Sequence, residues 1–433
     1  MSSDPLTRRR FLGSMAATGA ISILGDRSSA GSVEPISSTS DETLTPWIPG
    51  SLEIHHISTG RGNCAFILCP DGTTLLIDAG AQYHGSGALR SERYLISPKP
   101  DASLRPGQWI ARYIQRRLRF CENKKIDYFI LTHLHTDHMG GLNPDPAKAV
   151  KSKLGNYELT GVSDVHEQVG IRRLIDRAYP DYNYPAELDD PHQKNYRAFV
   201  ASFLAGGGHV ERFIPGAVDQ IVLQHGPQRD DFQIRNLAAN GEVWTGKEAS
   251  TVKTFPDLKS LPMEDRPNEN MCSLALRLVF GAFSYYNGGD LVHETHYGRL
   301  PWADIESAVA LAAGPTTVAL ANHHGYVNGC GPEFVRQLRP RVFIISAWDS
   351  AHPTIPSLDN MLSSELYSEN RLVFATALKP ENIIATKRLA ELKSGNGHVI
   401  VRVASPKAED FQVFITDNMD QADHVVTRTN VSV

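Results

Sequence analysis

Four potential metal ligands fall within six residues of this chain, in Ile130-Leu131-Thr132-His133-Leu134-His135-Thr136-Asp137-His138-Met139-Gly140-Gly141. Imidazole and carboxylate at this density suit zinc, iron or manganese better than calcium or magnesium. A hydrolytic metal site keeps one coordination position open for water, and the bound water then ionises near neutral pH. A surface loop that merely holds three histidines is the bland alternative, but unpaired clusters of this kind have little structural use. The stretch reads as a metal site.

Its position follows from the elements around it. The apolar run Tyr128-Phe129-Ile130-Leu131 predicts a strand over 127–131. In extended chain beyond it, alternate residues point the same way, which puts His133 and His135 on one side. Asp137 and His138 follow where Met139-Gly140-Gly141 lets the backbone turn tightly. Upstream, strands at 64–69 and 73–78 form a hairpin about Pro70-Asp71-Gly72, and 81–104 is a loop. Trp109, Ile110, Tyr113, Ile114 and Leu118 recur at helical spacing over 106–120, with arginines on the opposite, solvated face.

Residues 142–270 are less legible, with short strands at 171–176 and 210–214 and an aromatic loop at 180–185 that could wall a cleft or simply pack. The pattern clears at strands 273–280 and 283–286, which end at Asp290. A helix over 302–313 then precedes a strand over 316–320 that runs into His323-His324. A helix at 332–338, a strand at 342–346 ending near His352, and a hairpin of 397–403 with 411–416 complete the order. Two strand-rich halves with helices outside each predict an α/β, four-layer αββα sandwich at 51–420, followed by a tail at 421–433.

The chain has 433 residues, 41% hydrophobic and 21% charged, ordinary for a globular protein. Thr7-Arg8-Arg9-Arg10-Phe11-Leu12-Gly13, a modest apolar run to Leu24 and small residues at Ser28-Ser29-Ala30 read as a twin-arginine export signal over 1–30, which makes the protein periplasmic or secreted. Residues 31–50, rich in Ser, Thr and Pro, read as a flexible leader. The first 30 residues hold four Arg and two Asp, so their removal takes the formal charge from −5 to −7. That acidity argues against stable, non-specific nucleic-acid binding, and no later apolar run could span a membrane. Five cysteines without a Cys-x-x-Cys pair read as small buried hydrophobes rather than a disulfide framework.

His-x-His-x-Asp-His after an apolar strand resembles the metallo-β-lactamase superfamily. The hairpin ending Leu75-Leu76-Ile77-Asp78-Ala79-Gly80, the later Gly288-Gly289-Asp290 and Asn322-His323-His324-Gly325 resemble that superfamily's other motifs. Their order and the His-His-Gly ending are most similar to the hydrolase domain of ComEC-type competence proteins, over about 52–416. Two features depart from that group. Gly60-Arg61-Gly62-Asn63 stands where the group usually has Gly-x-Gly-Asp, and His135 stands where it often has Asp.

The resemblance implies two divalent ions about 3.5–4 Å apart, zinc in the first place with manganese or iron as alternatives, bridged by a hydroxide. It implies that His133 and His135 bind the first ion, Asp137 and His138 the second, and that Asp290 bridges. His323 is expected as the late ligand, leaving His324 for substrate or hydrogen bonding. A third histidine for the first ion is sought among His166, His192, His209 and His225, with His166 preferred. Asp78 is expected to orient a metal-bound histidine from behind. His352 is a candidate general acid, to be counted with Asp137 among the catalytic residues. The implied function is an exported metal-dependent hydrolase of a small phosphodiester or nucleotide. A carbon ester, lactone or lactam is the alternative substrate, and a binding protein without turnover is the rival class.

Overall fold

Alternation in the strands builds the molecule in layers. The computed structural model describes residues 42–84, 91–187 and 189–433, which all fall in one unit, Ser37–Val433. The expected export signal at 1–30 and most of the expected leader lie outside the described residues. The chain opens with β1 (Leu52–His56), β2 (Ala65–Leu68) and β3 (Thr74–Ile77), then α1 (Pro106–Leu118) and β4 (Ile126–Leu131). Next come the one-turn α2 (Thr136–Met139), α3 (Gly161–Gln168), β5 (Ile171–Asp176), α4 (Pro191–Ala205) and β6 (His209–Arg212). A second series follows: β7 (Phe232–Ala239), β8 (Glu242–Trp244), β9 (Thr251–Lys253), β10 (Ala275–Phe280) and β11 (Phe283–Asn287). It continues with α5 (Ile305–Ala313), β12 (Val318–Leu320), α6 (Pro332–Leu338), β13 (Val342–Ile345), α7 (Ile355–Leu362) and β14 (Leu372–Ala375). The chain then returns to the first sheet through β15 (His398–Val403), β16 (Asp410–Thr416) and β17 (Val425–Ser432).

The two sheets have nine and eight strands, ordered β17-β16-β15-β1-β2-β3-β4-β5-β6 and β14-β13-β12-β11-β10-β7-β8-β9. On β2 to β4, Ala65, Ile67, Leu75, Ile77, Tyr128 and Ile130 face the second sheet. Their alternates Phe66, Leu68, Leu76, Phe129 and Leu131 pack with Ile110 and Ile114 of α1, Val165 of α3 and Phe199 of α4. The second sheet does the same: Val342 and Ile344 join the central core, while Phe343 and Ile345 pack with Val309 of α5 and Phe334 of α6. Period-two alternation with both faces buried is what a sandwich covered by helices requires. The expected α/β architecture is the one observed.

Two expectations at the ends need correction. Part of the supposed leader is fixed, because Leu44 and Trp47 are buried and Leu44 N–H donates to Asp423 O at 2.9 Å. The supposed tail contains β17, which pairs antiparallel with β16 from Asp410↔Ser432 to Thr416↔Val425. All five cysteines are free and buried, and among the described residues no helix is long and apolar enough to cross a membrane.

Candidate metal centre

The parallel strands β3 and β4 end side by side, and their C-terminal ends carry the site. Beyond β3, Asp78 adopts a left-handed φ of 61°. Its carboxylate accepts from Thr132 N–H at 2.8 Å, Thr132 Oγ1 at 2.9 Å and Asn63 Nδ2 at 2.8 Å, and meets His138 Nδ1 at 2.7 Å. Asp78 therefore holds the start of the metal loop and one ring of it. Gly62 and Gly80 make this close approach feasible, since a Cβ at either would lie 2.3 Å or less from Asp137 O. The loop then turns through α2, which directs Asp137 and His138 inward.

Asp290, after β11, lies between two groups of potential ligands. Asp137, His138, Asp290 and His324 form one and His133, His135 and Asp290 the other, each with its ligand atoms within 4.8 Å of one another. The carboxylate of Asp290 divides between them. Its Oδ1 lies 3.1 Å from His138 Nε2 and 3.5 Å from His324 Nε2, while its Oδ2 lies 3.6 Å from His133 Nε2. His324 Nδ1 donates to Ser346 O at 2.7 Å, which leaves its Nε2 lone pair facing Asp137 Oδ2 at 3.1 Å. Two lone pairs so disposed repel unless a proton or a metal cation lies between them, and the imidazole and carboxylate donors gathered here are a set that metal ions take.

Charge supports the same fit. Burial would raise the carboxyls of Asp137 and Asp290, but the histidines around them, His138 foremost, hold both well below the usual carboxylate range. Burial likewise opposes a charge on His138, yet Asp290, Asp78 and Asp137 push its pKa well above the ordinary value. His133, with fewer acids near it, is driven well below by burial. Buried carboxylates in this number need positive charge beside them, and a divalent ion supplies it.

The candidate residues distribute unevenly. His133, His135, Asp137, His138 and Asp290 come together, and Asp78 sits behind His138. The expected order of the two late histidines is reversed, because His324, not His323, joins the Asp137 group. Both residues are left-handed, at φ 49° for His323 and 56° for His324, and this strained pair turns both rings toward Asp290. His323 Nε2 stands farther off, 3.8 Å from Asp290 Oδ2. The structure does not bring His166 to the centre. It lies on α3, its ring against Phe199 and Phe203, with Nδ1 accepting from Ile171 N–H at 3.2 Å. Nor do the other candidates arrive: His192 caps Leu142 N–H, His209 pairs with Glu211, and His225 with Asp127. His352 is buried beside the centre, its ring 4.8 Å from that of His324 and 4.9 Å from that of Trp348. Burial first and foremost pushes its pKa down to about 3, so the ring is neutral.

Sequence reasoning missed Glu269 and Asn270. Glu269 Oε1 accepts from Leu134 N–H, between the two metal-loop histidines, and from Arg177 Nε, both at 2.7 Å. Arg177 is wholly buried and also donates to Tyr184 O and Asn240 Oδ1. Asn270 Nδ2 lies 3.2 Å from His323 Nε2. An acid and an amide directly before a strand, in a segment with little other pattern, were the available signal. The aromatic loop at 180–185 does both: Tyr182 is buried and its hydroxyl donates to Asp176 at 2.6 Å, while Asp181, Asn183 and Tyr184 line a cavity with Arg177 and Asn240.

Residues 57–209 match the family model described as the metallo-beta-lactamase superfamily. No curated protein matches the chain. Among solved structures, it is similar to CmlA, a diiron beta-hydroxylase from Streptomyces venezuelae, at 12% identity and TM-score 0.35, covering 83% of this chain and 55% of that one. This chain thus spans about half the length of that relative. The metallo-beta-lactamase fold protein YhfI from Bacillus subtilis matches at 10% identity and TM-score 0.34, over 82% of this chain and all of that one. The short form of human tRNase Z matches at 10% identity and TM-score 0.28, over 68% and 91%.

Proposed function

We propose, from the match of residues 57–209 to the metallo-beta-lactamase superfamily model, that the protein is a metal-dependent hydrolase with two ions. One observation carries the reading: two ligand groups share the single carboxylate of Asp290, each oxygen turned to a different group. When bound, the ions would supply Lewis acidity and a water ionised near neutral pH. His133, His135 and Asp290 would hold one; Asp137, His138, His324 and Asp290 the other.

The protein's own groups do the positioning. Asp78 and Ser346 O hold the outer nitrogens of His138 and His324, so both present Nε2 inward. The Glu269–Arg177 pair clamps the backbone between His133 and His135. His352, expected as the general acid, is packed on His324 but held neutral by burial, so in this state it offers a leaving group a hydrogen bond and not a proton.

The likeness to ComEC-type hydrolase domains supports a phosphodiester substrate. The acidic chain and Asn63, which donates to Asp78 where a carboxylate would repel it, support a small phosphodiester or nucleotide over long nucleic acid. The Arg8-Arg9-Arg10 segment supports export to the periplasm. The test is hydrolysis of an aryl phosphodiester by protein loaded with zinc or manganese, beside an Asp137→Ala variant, an aryl ester and a β-lactam. Metal-dependent phosphodiester turnover lost in the variant is the expected result. Turnover of the ester or lactam alone moves the substrate class, and no turnover with fewer than two ions bound assigns a binding protein.

A further inference from the structure

Among the described residues the His133 side of the centre groups two histidines with Asp290, and the side-chain amide of Asn270 is tied to that side. Asp290 turns Oδ2 toward His133, and the same oxygen faces His323. The outer nitrogen of His323 is fixed by a short contact, Nδ1 to Asn328 Oδ1 at 2.6 Å. An amide oxygen only accepts, so Nδ1 carries the proton and Nε2 is left as an acceptor. Nε2 in turn accepts from Asn270 Nδ2 at 3.2 Å. This relay, Asn328 to His323 to Asn270, fixes which end of the Asn270 amide is which. Its Oδ1 is left buried and without a hydrogen-bond partner. A buried amide oxygen in that state is unfavourable unless something claims it.

A second contact puts Asn270 on the same side. Its neighbour Glu269 accepts from Leu134 N–H, between His133 and His135. The one-turn 3₁₀ segment Asn270–Cys272 then leads directly into the strand beside β7. Asn270 is thus tied to the His133 side through His323 on one flank and Leu134 on the other.

We propose that Asn270 Oδ1 is the third protein ligand of the ion held by His133 and His135, with His323 acting as a positioning residue that orients the amide. The inference rests on the two-ion reading above. A neutral amide oxygen is a harder and weaker ligand than imidazole. The two halves of the centre therefore differ: the His324 half binds zinc tightly, and the Asn270 half binds more weakly and tolerates manganese.

The test is metal titration of the metal-free full chain, with zinc and with manganese, read by equilibrium dialysis and the manganese spin-resonance signal. Wild type, Asn270→Ala, Asn270→Asp and His323→Ala are compared. Wild type is expected to bind one ion tightly and a second weakly. Asn270→Ala is expected to weaken only the second, by about tenfold or more, with the tight ion retained as proof of an intact fold. Asn270→Asp, which keeps an oxygen and adds charge, should match or exceed wild type, and His323→Ala should fall between wild type and Asn270→Ala, within about tenfold. Unchanged affinity in Asn270→Ala, equal loss of both ions, or loss of the second ion in Asn270→Asp overturns the assignment while the two-ion reading stands. A wild-type chain that binds no second ion overturns both.

Discussion

The two halves that meet at Asp290 are built differently. In one, both outer ring nitrogens are held by full acceptors, His138 by Asp78 and His324 by the Ser346 carbonyl, each at 2.7 Å. In the other, His133 Nδ1 has only Thr132 Oγ1 at 3.2 Å, a hydroxyl already committed to Asp78. His135 is half-exposed there, whereas Asp137, His138 and His324 are buried. Outer hydrogen bonds fix ring tautomer and raise ligand basicity. The first half is therefore set before an ion arrives. The second is held less firmly and, through His135, is the more open to solvent.

Four substitutions probe that contrast, in falling order of effect. Asp290→Ala removes the residue both halves share. It should abolish two-ion binding and reduce metal-dependent turnover by more than the roughly 10–100-fold typical of outer partners; metal content per chain and kcat/KM are the readouts, and retention of two ions would refute the shared role. Glu269→Ala leaves the buried Arg177 guanidinium without its carboxylate, and should destabilise the fold by about 3–5 kcal/mol in urea denaturation. It should also loosen the His133 half more than the His324 half; equal loosening would mean that the clamp is not local.

Asp78→Ala strikes the other half, with an expected loss of about 10–100-fold in affinity for the tight ion, measured by competition with a chelating dye. If the weak ion suffers instead, the assignment of the anchored half is wrong. His56 serves as a control outside both halves, its ring against Tyr285 in the sandwich and both nitrogens buried without partners. Burial, with a smaller contribution from His55, pushes its pKa from 6.5 down to about 3. The unfolded chain takes up this proton near pH 6.5 and the native state only near pH 3. His56 thus contributes stability present above pH 6.5 and lost as pH falls toward 3. His56→Phe should remove up to about 1.4 kcal/mol per pH unit of that slope without changing metal binding. An unaltered slope between those limits would show that the ring is not buried neutral.

Legibility followed burial and residue type. The strand ending at Leu131 and the helix at Pro332–Leu338 were readable, one from an unbroken apolar run, the other from a proline at its first turn. β8 and β9, three residues each, were too short and too partly buried to show alternation. β17 reads as a polar tail because Thr427, Arg428, Thr429 and Asn430 dominate it, yet its backbone pairs along all of β16. Five of the expected ligands, His133, His135, Asp137, His138 and Asp290, could be found because histidine and aspartate are the usual alphabet of metal sites. The choice between His323 and His324 could not, because two successive left-handed residues set where each ring points. Asn270 lay outside that alphabet altogether.

The strand order also has a consequence for synthesis. β1 lies between β2 and β15, with Leu52 opposite Val403. While the ribosome makes the intervening chain, at roughly 5–20 residues per second, one edge of β1 has no neighbour for tens of seconds. An unpaired edge is a template for pairing with other chains. The residues that pair with the free edge of β1 are thus made long after it, and a nascent chain truncated before His398 should aggregate rather than fold as a smaller version of the protein.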